Sequence, residues 1–327
     1  MSSGLLRCIW RMCLAGAVVL LVAAPSTAGA QDTSAEQSQP MRLVMLGTGT
    51  PNADPDRWGP SLAVVVGERA YVFDAGPGVV RRAAAAARTH DLAQLEANNL
   101  THVFLTHLHS DHTLGLPDLM FSPWVLERTA PLHIVGPAGT AAMAARLTDA
   151  YTQDIEMRLH GLEPANTTGW RNEVTEFAAG GRVFEDGTVR IDAIPVVHGS
   201  WANAYGYSIT DGRTKIVISG DATFSPTLLE AARGADILVH EVYSTPRLET
   251  RPPEWRRYHS AFHTSTQQLA ALAASARPGL VVLTHTLTWG MPAAELVGEM
   301  RGFGYDGPVA AADDLDLFVA GAHANVP

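Results

Sequence analysis

The spacing of apolar positions changes along this chain. Between residues 41 and 73 they form short runs, 42–46, 62–66 and 71–73, separated by glycine, proline and aspartate, which predicts three β-strands. Residues 79–97 are alanine-rich and predict a helix. From there strands and helices alternate. Strands are predicted at 101–106, 132–135, 188–197, 204–210, 215–219, 236–239 and 280–284, and helices at 139–151, 226–232, 266–276 and 292–301. Asp211-Gly212 is a hairpin signal between two of these strands, and residues 308–319 return to strand-like sequence. Residues 160–181 carry the weakest pattern. Strands first, then strands alternating with helices, predicts a mixed α/β (α+β) fold: two sheets packed together with helices outside.

The N-terminus adds a targeting signal to this picture. Arg7 and Arg11 precede an apolar run over 12–24, and Ala28-Gly-Ala30 is a cleavage-type site. The run is short for a bilayer span. We expect residues 1–30 to be a cleaved signal peptide, 31–40 a polar linker and 41–327 one hydrolase domain. The protein is then periplasmic or secreted, with no lasting membrane association. Cys8 and Cys13 are the only cysteines and both lie in the signal. The mature chain therefore forms no disulfide, and any metal must be held by histidine and carboxylate. The formal charge is −10, and Lys215 is the only lysine. With no basic cluster evident, nucleic acid is not the expected partner.

The chemistry concentrates in seven residues. His107, His109, Asp111 and His112 lie in the run Thr-His-Leu-His-Ser-Asp-His. His198, Asp221 and His285 follow singly, each at the end of an apolar, strand-like segment. Imidazole and carboxylate suit Zn²⁺, with Mn²⁺ or Fe as alternatives. His107 and His109 can hold one ion with His198, and Asp111 and His112 a second with His285. The two oxygens of Asp221 can bridge both. Two such ions activate water for ester hydrolysis.

His107-Leu-His-Ser-Asp-His112, with His198, Asp221 and His285, resembles the metallo-β-lactamase superfamily. Met45-Leu-Gly-Thr-Gly-Thr-Pro51, Arg57-Trp-Gly-Pro-Ser61 and Phe73-Asp-Ala-Gly-Pro-Gly78 resemble its ribonuclease Z branch and exported arylsulfatase-like relatives. The resemblance spans roughly residues 41–320 and implies a four-layer αββα sandwich with a dinuclear zinc site. It further implies that His263 protonates the leaving oxygen and that Glu241, in His240-Glu241, orients it. Asp111, His263 and Glu241 are thus the candidate catalytic residues. The carboxylate at Asp221 points away from β-lactamases. Only 22 residues separate His198 from Asp221, where ribonuclease Z enzymes insert a tRNA-gripping arm.

The expected function is hydrolysis of a small anionic sulfate ester or phosphodiester. Phe121, Trp124, Trp201, Tyr205 and Trp289 would wall a pocket for it, and Arg57 would reach the anion or form a structural ion pair. The alternatives are a ribonuclease Z-like endonuclease, a β-lactamase-type hydrolase and a non-catalytic exported metal-binding protein. A homodimer is expected from the look-alike branch.

Overall fold

The structure is a computed structural model that describes residues 40–322. The expected signal peptide and nearly all of the expected linker lie outside the described residues. No helix among the described residues is long and apolar enough to cross a membrane.

Two seven-stranded sheets face each other. The first is built by β1 (Arg42–Gly47), β2 (Ser61–Val66), β3 (Arg69–Phe73), β4 (His102–Phe104), β5 (Leu132–Pro137) and β6 (Asn172–Phe177). The second holds β7 (Gly181–Glu185), β8 (Arg190–Pro195), β9 (Tyr205–Thr210), β10 (Lys215–Ile218), β11 (Ile237–Tyr243), β12 (Leu280–Leu287) and β13 (Val309–Ala311). The final strand, β14 (Leu317–Val319), crosses back and pairs with β1. Strand order is 14-1-2-3-4-5-6 in one sheet and 13-12-11-10-9-8-7 in the other. Each sheet is antiparallel in its hairpin part and parallel in the rest, from β3 to β6 and from β10 to β13. The parallel parts need helical crossovers, which places helices on both outer faces.

Alternation within single strands sets the layers. Leu43, Met45, Val64, Tyr71, Phe73, Val239 and Val282 point into a core between the sheets. Their neighbours Val44, Leu46, Ala63, Val65 and Val72 face a second core. That core is closed by α1 (Val79–His90), α3 (Leu116–Val125), which follows the single turn α2 (Ser110–Thr113), α4 (Thr140–Ala150) and α5 (Thr152–His160). Leu238, Val281 and Leu283 face the third core, under α6 (Pro226–Ala232). Between α6 and the rest of that layer the chain forms α7 (Thr245–Glu249) and α8 (Pro253–Phe262). The third core is completed by α9 (Thr266–Ala276) and α10 (Ala294–Gly302). The result is the expected αββα sandwich.

Several elements depart from the expected boundaries. The helix from 79 stops at His90, because Asp91 takes a left-handed conformation (φ 53°) and its N–H caps the Ala87 carbonyl. Residues 160–181 contain β6, whose alternate residues face solvent. α5 and α8 are short, largely exposed helices without a long apolar stripe. The Asp211-Gly212 hairpin forms as expected, with Gly212 at φ 86°.

Candidate metal centre

The seven residues converge at one edge of the sandwich. His107 and His109 follow β4, and Asp111 and His112 form the first turn of α2. His198 follows β8 and Asp221 follows β10. His285 is the extra residue of a β-bulge in β12. Glu241 pairs Thr284 and Val242 pairs Thr286, so His285 is skipped, and its φ of 44° turns the side chain inward. Its N–H is held by the Thr48 carbonyl at 3.1 Å.

One atom each of His107, His109, His198 and Asp221 lie within 4.8 Å of one another, and so do those of Asp111, His112 and His285. His109 Nδ1 is 2.9 Å from His107 Nε2 and 3.1 Å from His198 Nε2. It has one proton at most to give, so hydrogen bonding accounts for only one of these approaches. A tetrahedral ion with bonds of about 2.0–2.1 Å has ligand–ligand edges of about 3.3 Å, close to both. Asp221 reaches each cluster: Oδ1 is 3.5 Å from His112 Nε2, and Oδ2 is 3.6 Å from His285 Nε2 and 3.8 Å from His198 Nε2. His112 Nε2 is buried without a hydrogen-bond partner, an orphan that a cation would satisfy. The donor set therefore fits divalent metal.

The outer nitrogens are fixed by the protein. His112 Nδ1–H donates to Asp74 Oδ2 at 2.7 Å. His107 Nδ1–H donates to Thr106 Oγ1 at 2.9 Å, and that hydroxyl donates on to Asp74. His198 Nδ1–H donates to the Phe262 carbonyl at 2.7 Å. Each bond leaves an Nε2 lone pair aimed inward. Asp74 was not singled out by the sequence. Its role depends on a left-handed turn (φ 58°) that folds the end of β3 against residues 106 and 112.

Burial, with His112 alongside, holds His107 well below the ordinary imidazole range, and burial pushes His198 down to about 4. Both are neutral near pH 7, the form that binds metal. Burial is the largest single influence on His112 and His285 and acts the same way, but Asp221 together with Asp74 at His112, and with Asp111 at His285, outweighs it and raises both. Metal uptake there competes with protons. Burial opposes charge on Asp221, yet His285 and His112 hold it well below the ordinary range.

Glu241 and His263 sit beside Asp221. Glu241 Oε1 accepts the Thr264 N–H at 2.8 Å, and Oε2 lies 3.5 Å from His263 Nδ1, which is 4.0 Å from Asp221 Oδ2. Burial and the nearby Asp221 raise the Glu241 carboxyl well above its usual range, while burial lowers His263 to about 4. His240, on the opposite face of β11, donates from Nδ1 to the Glu241 carbonyl at 2.6 Å. His263 with Asp221 and His285 forms a third group with ligand geometry.

A cleft of about 390 Å³ opens over His109, Asp111, His198, His263 and His285. Of the five expected wall aromatics, Trp289 lines it, and Trp201 packs on the His109 ring at 4.5 Å. Phe121, Trp124 and Tyr205 are core residues. Trp255 and Tyr258 of α8 form the wall instead. Arg57 is a structural anchor. It pairs Asp313 at 2.6 Å and donates to Thr48 Oγ1 at 2.7 Å, stiffening the loop that carries Gly47-Thr-Gly-Thr50.

Residues 245–262 also correct the expectation that no basic cluster exists. Arg247, Arg251, Arg256 and Arg257 stand there against Glu249 and Glu254. They are spaced too widely to read as a basic run; Arg251, between the two helices, lines the cleft, and Arg256 and Arg257 lie on α8, which also carries Trp255 and Tyr258.

A family model described as "Beta-lactamase superfamily domain" matches residues 69–286. A ribonuclease Z of Mycobacterium bovis is 36% identical over 249 residues, covering 75% of this chain and 85% of that protein. A ribonuclease Z of Mycobacterium marinum is 35% identical over 248 residues, covering 75% and 86%. Among solved structures, the metallo-β-lactamase fold protein YhfI from Bacillus subtilis superposes with a TM-score of 0.65 at 18% identity, covering 86% of this chain and 99% of that one. Human tRNase Z, short form, does so with a TM-score of 0.64 at 21% identity, with the same coverage. Relatives named as ribonucleases overturn the expectation of a small anionic ester substrate with nucleic acid an unlikely partner, and favour the ribonuclease Z-like alternative. The error lay in judging the whole-chain charge, when residues 245–262 carry four arginines against two glutamates and one of them, Arg251, lines the cleft. With its sandwich fold, its histidine–aspartate cluster and these relatives, the chain belongs to the metallo-β-lactamase superfamily, in its ribonuclease Z branch, and is a metal-dependent hydrolase.

Proposed function

We propose that this protein is a ribonuclease Z-like phosphodiesterase that hydrolyses RNA. The observation that carries the reading is Asp221. It lies 3.5–3.8 Å from imidazole nitrogens of both clusters, with the His263–Glu241 pair at its side. His107, His109 and His198 would hold one Zn²⁺, and Asp111, His112 and His285 the other, with Asp221 shared. Bound ions would neutralise charge on the phosphodiester and activate the attacking water. The chain's own residues do the rest. Asp74 and the Phe262 carbonyl lock the histidine rings. Asp111 Oδ2 and His285 Nε2 face each other at 3.2 Å, a separation suited to two ligands of one ion. His263 delivers a proton to the leaving oxygen, and Glu241, pinned through its other oxygen, orients the ring and supplies the proton in turn.

The test is an RNA hairpin with a single-stranded 3′ trailer, incubated with the purified protein and Zn²⁺ or Mn²⁺. Cleavage is expected, and Asp221→Ala should lose bound metal and activity together. Intact RNA with metal-loaded protein, alongside turnover of nitrophenyl sulfate or a β-lactam, would overturn the reading. We also propose export with cleavage after Ala30. Mass spectrometry of the protein from its native host should give a chain beginning at Gln31, and a retained Met1 start would refute it.

A further inference from the structure

We propose that the α7–α8 segment is a docking surface for single-stranded RNA, in which Trp255 and Tyr258 stack a base while Arg251, Arg256 and Arg257 follow the phosphates. The inference rests on the RNA-cleaving reading above and names the element that holds the substrate. Three observations carry it.

The first is exposure of aromatic area beside the site. Trp255 is 48% and Tyr258 39% exposed, one helical turn apart on α8, and both line the cleft that reaches His263 and Asp221. Their rings are already arranged. Trp255 stacks on His259 at 5.6 Å and 24°, Tyr258 stacks on Phe262 at 4.5 Å and 27°, and His259 meets Trp289 edge-on at 5.2 Å. Burial lowers His259 to about 4, so this platform is uncharged near neutral pH. A base laid on preset rings loses little conformational freedom, and base–aromatic stacking tolerates any sequence.

The second is unpaired cation. Arg256 and Arg257 are exposed on α8, and no ion pair to either is found among the described residues, nor to Arg251. Arg251 lines the cleft with its guanidinium 5.8 Å from the Trp289 ring, and its Nε is buried with no hydrogen-bond partner. A guanidinium at the cleft can meet a phosphate through charge-assisted hydrogen bonds. In a chain of formal charge −10, residues 245–262 carry four arginines against two glutamates, a local excess that favours a polyanion.

The third is the other side of the centre. The β9–β10 connection, residues 211–214, is a tight turn, so it offers no projecting arm. Substrate held at this centre must be gripped from elsewhere, and α7–α8 is the element with both stacking area and free cation at the cleft.

The experiment is fluorescence anisotropy on a labelled adenosine decamer with methylene in place of each bridging 3′ oxygen, which leaves no leaving oxygen to expel, with the metal-loaded full chain. Trp255→Ala should weaken binding about tenfold, and Trp255→Phe should restore most of it. On a decamer with abasic sites, Trp255→Ala should bind as the wild type does. Arg256→Ala with Arg257→Ala should weaken both ligands and reduce the salt slope by about 1.4, at about 0.7 per lost phosphate contact. Unchanged affinity in these variants, equal loss on the abasic strand, or tighter binding to duplex than to single strand would overturn the surface. Absence of RNA cleavage by the wild type would instead overturn the proposed reaction.

Discussion

At the scale of single residues, the centre depends on groups that orient ligands as much as on the ligands. Asp74 receives His112 Nδ1–H directly and His107 through Thr106, so one carboxylate sets two rings in opposite halves of the site. Asp74→Asn keeps the shape but replaces one acceptor oxygen by a donor. It should lower metal affinity about 10–100-fold, read by titration against a chelator, while the protein still folds at saturating metal. An unchanged affinity would remove Asp74 from the site. His263 and Glu241 make a second pair, 3.5 Å apart and buried. If they act as one proton-delivery unit, His263→Ala and Glu241→Gln should each slow RNA cleavage by about 10²–10⁴-fold, and the double variant should be little slower than either. Fully multiplicative losses would show that they act separately. The candidate ligands were legible because four of them crowd into six positions. Asp74 was not, because its neighbours are 32 and 38 residues away and only a left-handed turn unites them.

At the scale of elements, the legible parts were those whose burial is decided by one layer. β2, β11 and β12 are apolar on both faces and read as strands despite lacking alternation. β6 and α8 face water along much of their length, so apolar spacing could not find them. α8 matters most among these, since it supplies the cleft wall that Phe121, Trp124 and Tyr205 do not. The end of α3 hides another feature. Arg128 is fully buried and has no acidic partner among the described residues. Its guanidinium donates to the carbonyls of Leu100, Leu119, Met120 and Gly169 at 2.6–3.0 Å. It fastens α3 to two loops and so braces the turn that carries Asp111 and His112. Gly115, between α2 and α3, admits no side chain: a Cβ there would lie 2.2 Å from the Gly76 carbonyl oxygen. Arg128→Met would strand four buried carbonyls and should cost about 3–5 kcal/mol in urea unfolding. A loss below about 1 kcal/mol would mean that water replaces the guanidinium there.

At the scale of the whole molecule, histidines lie at both ends of the layer between the sheets, and they make stability depend on pH. His102, on β4, stacks on His133 of β5 at 4.9 Å and 9°, and meets Phe184 of the opposite sheet edge-on at 5.3 Å. Burial first, and the neighbouring His133 second, lower it to about 4. The unfolded value is about 6.5, so the folded state resists a proton that the unfolded chain accepts. The stabilisation is therefore complete above pH 6.5 and is lost as pH falls from there toward 4. Discounted for partial exposure, this one residue should account for about 1–2 kcal/mol of that loss. In the candidate metal centre His107 and His198, which resist a proton in the folded state, also favour unfolding in acid, while His112 and His285, which attract one, oppose it, so the wild-type curve alone cannot isolate His102. His102→Phe keeps a flat ring against Tyr71 and Phe184 but removes the titration. Between pH 7 and 5, with metal chelated in both proteins, the variant should lose about 1–2 kcal/mol less stability than the wild type. Parallel curves would place the acid sensitivity at other buried histidines and leave His102 a packing residue.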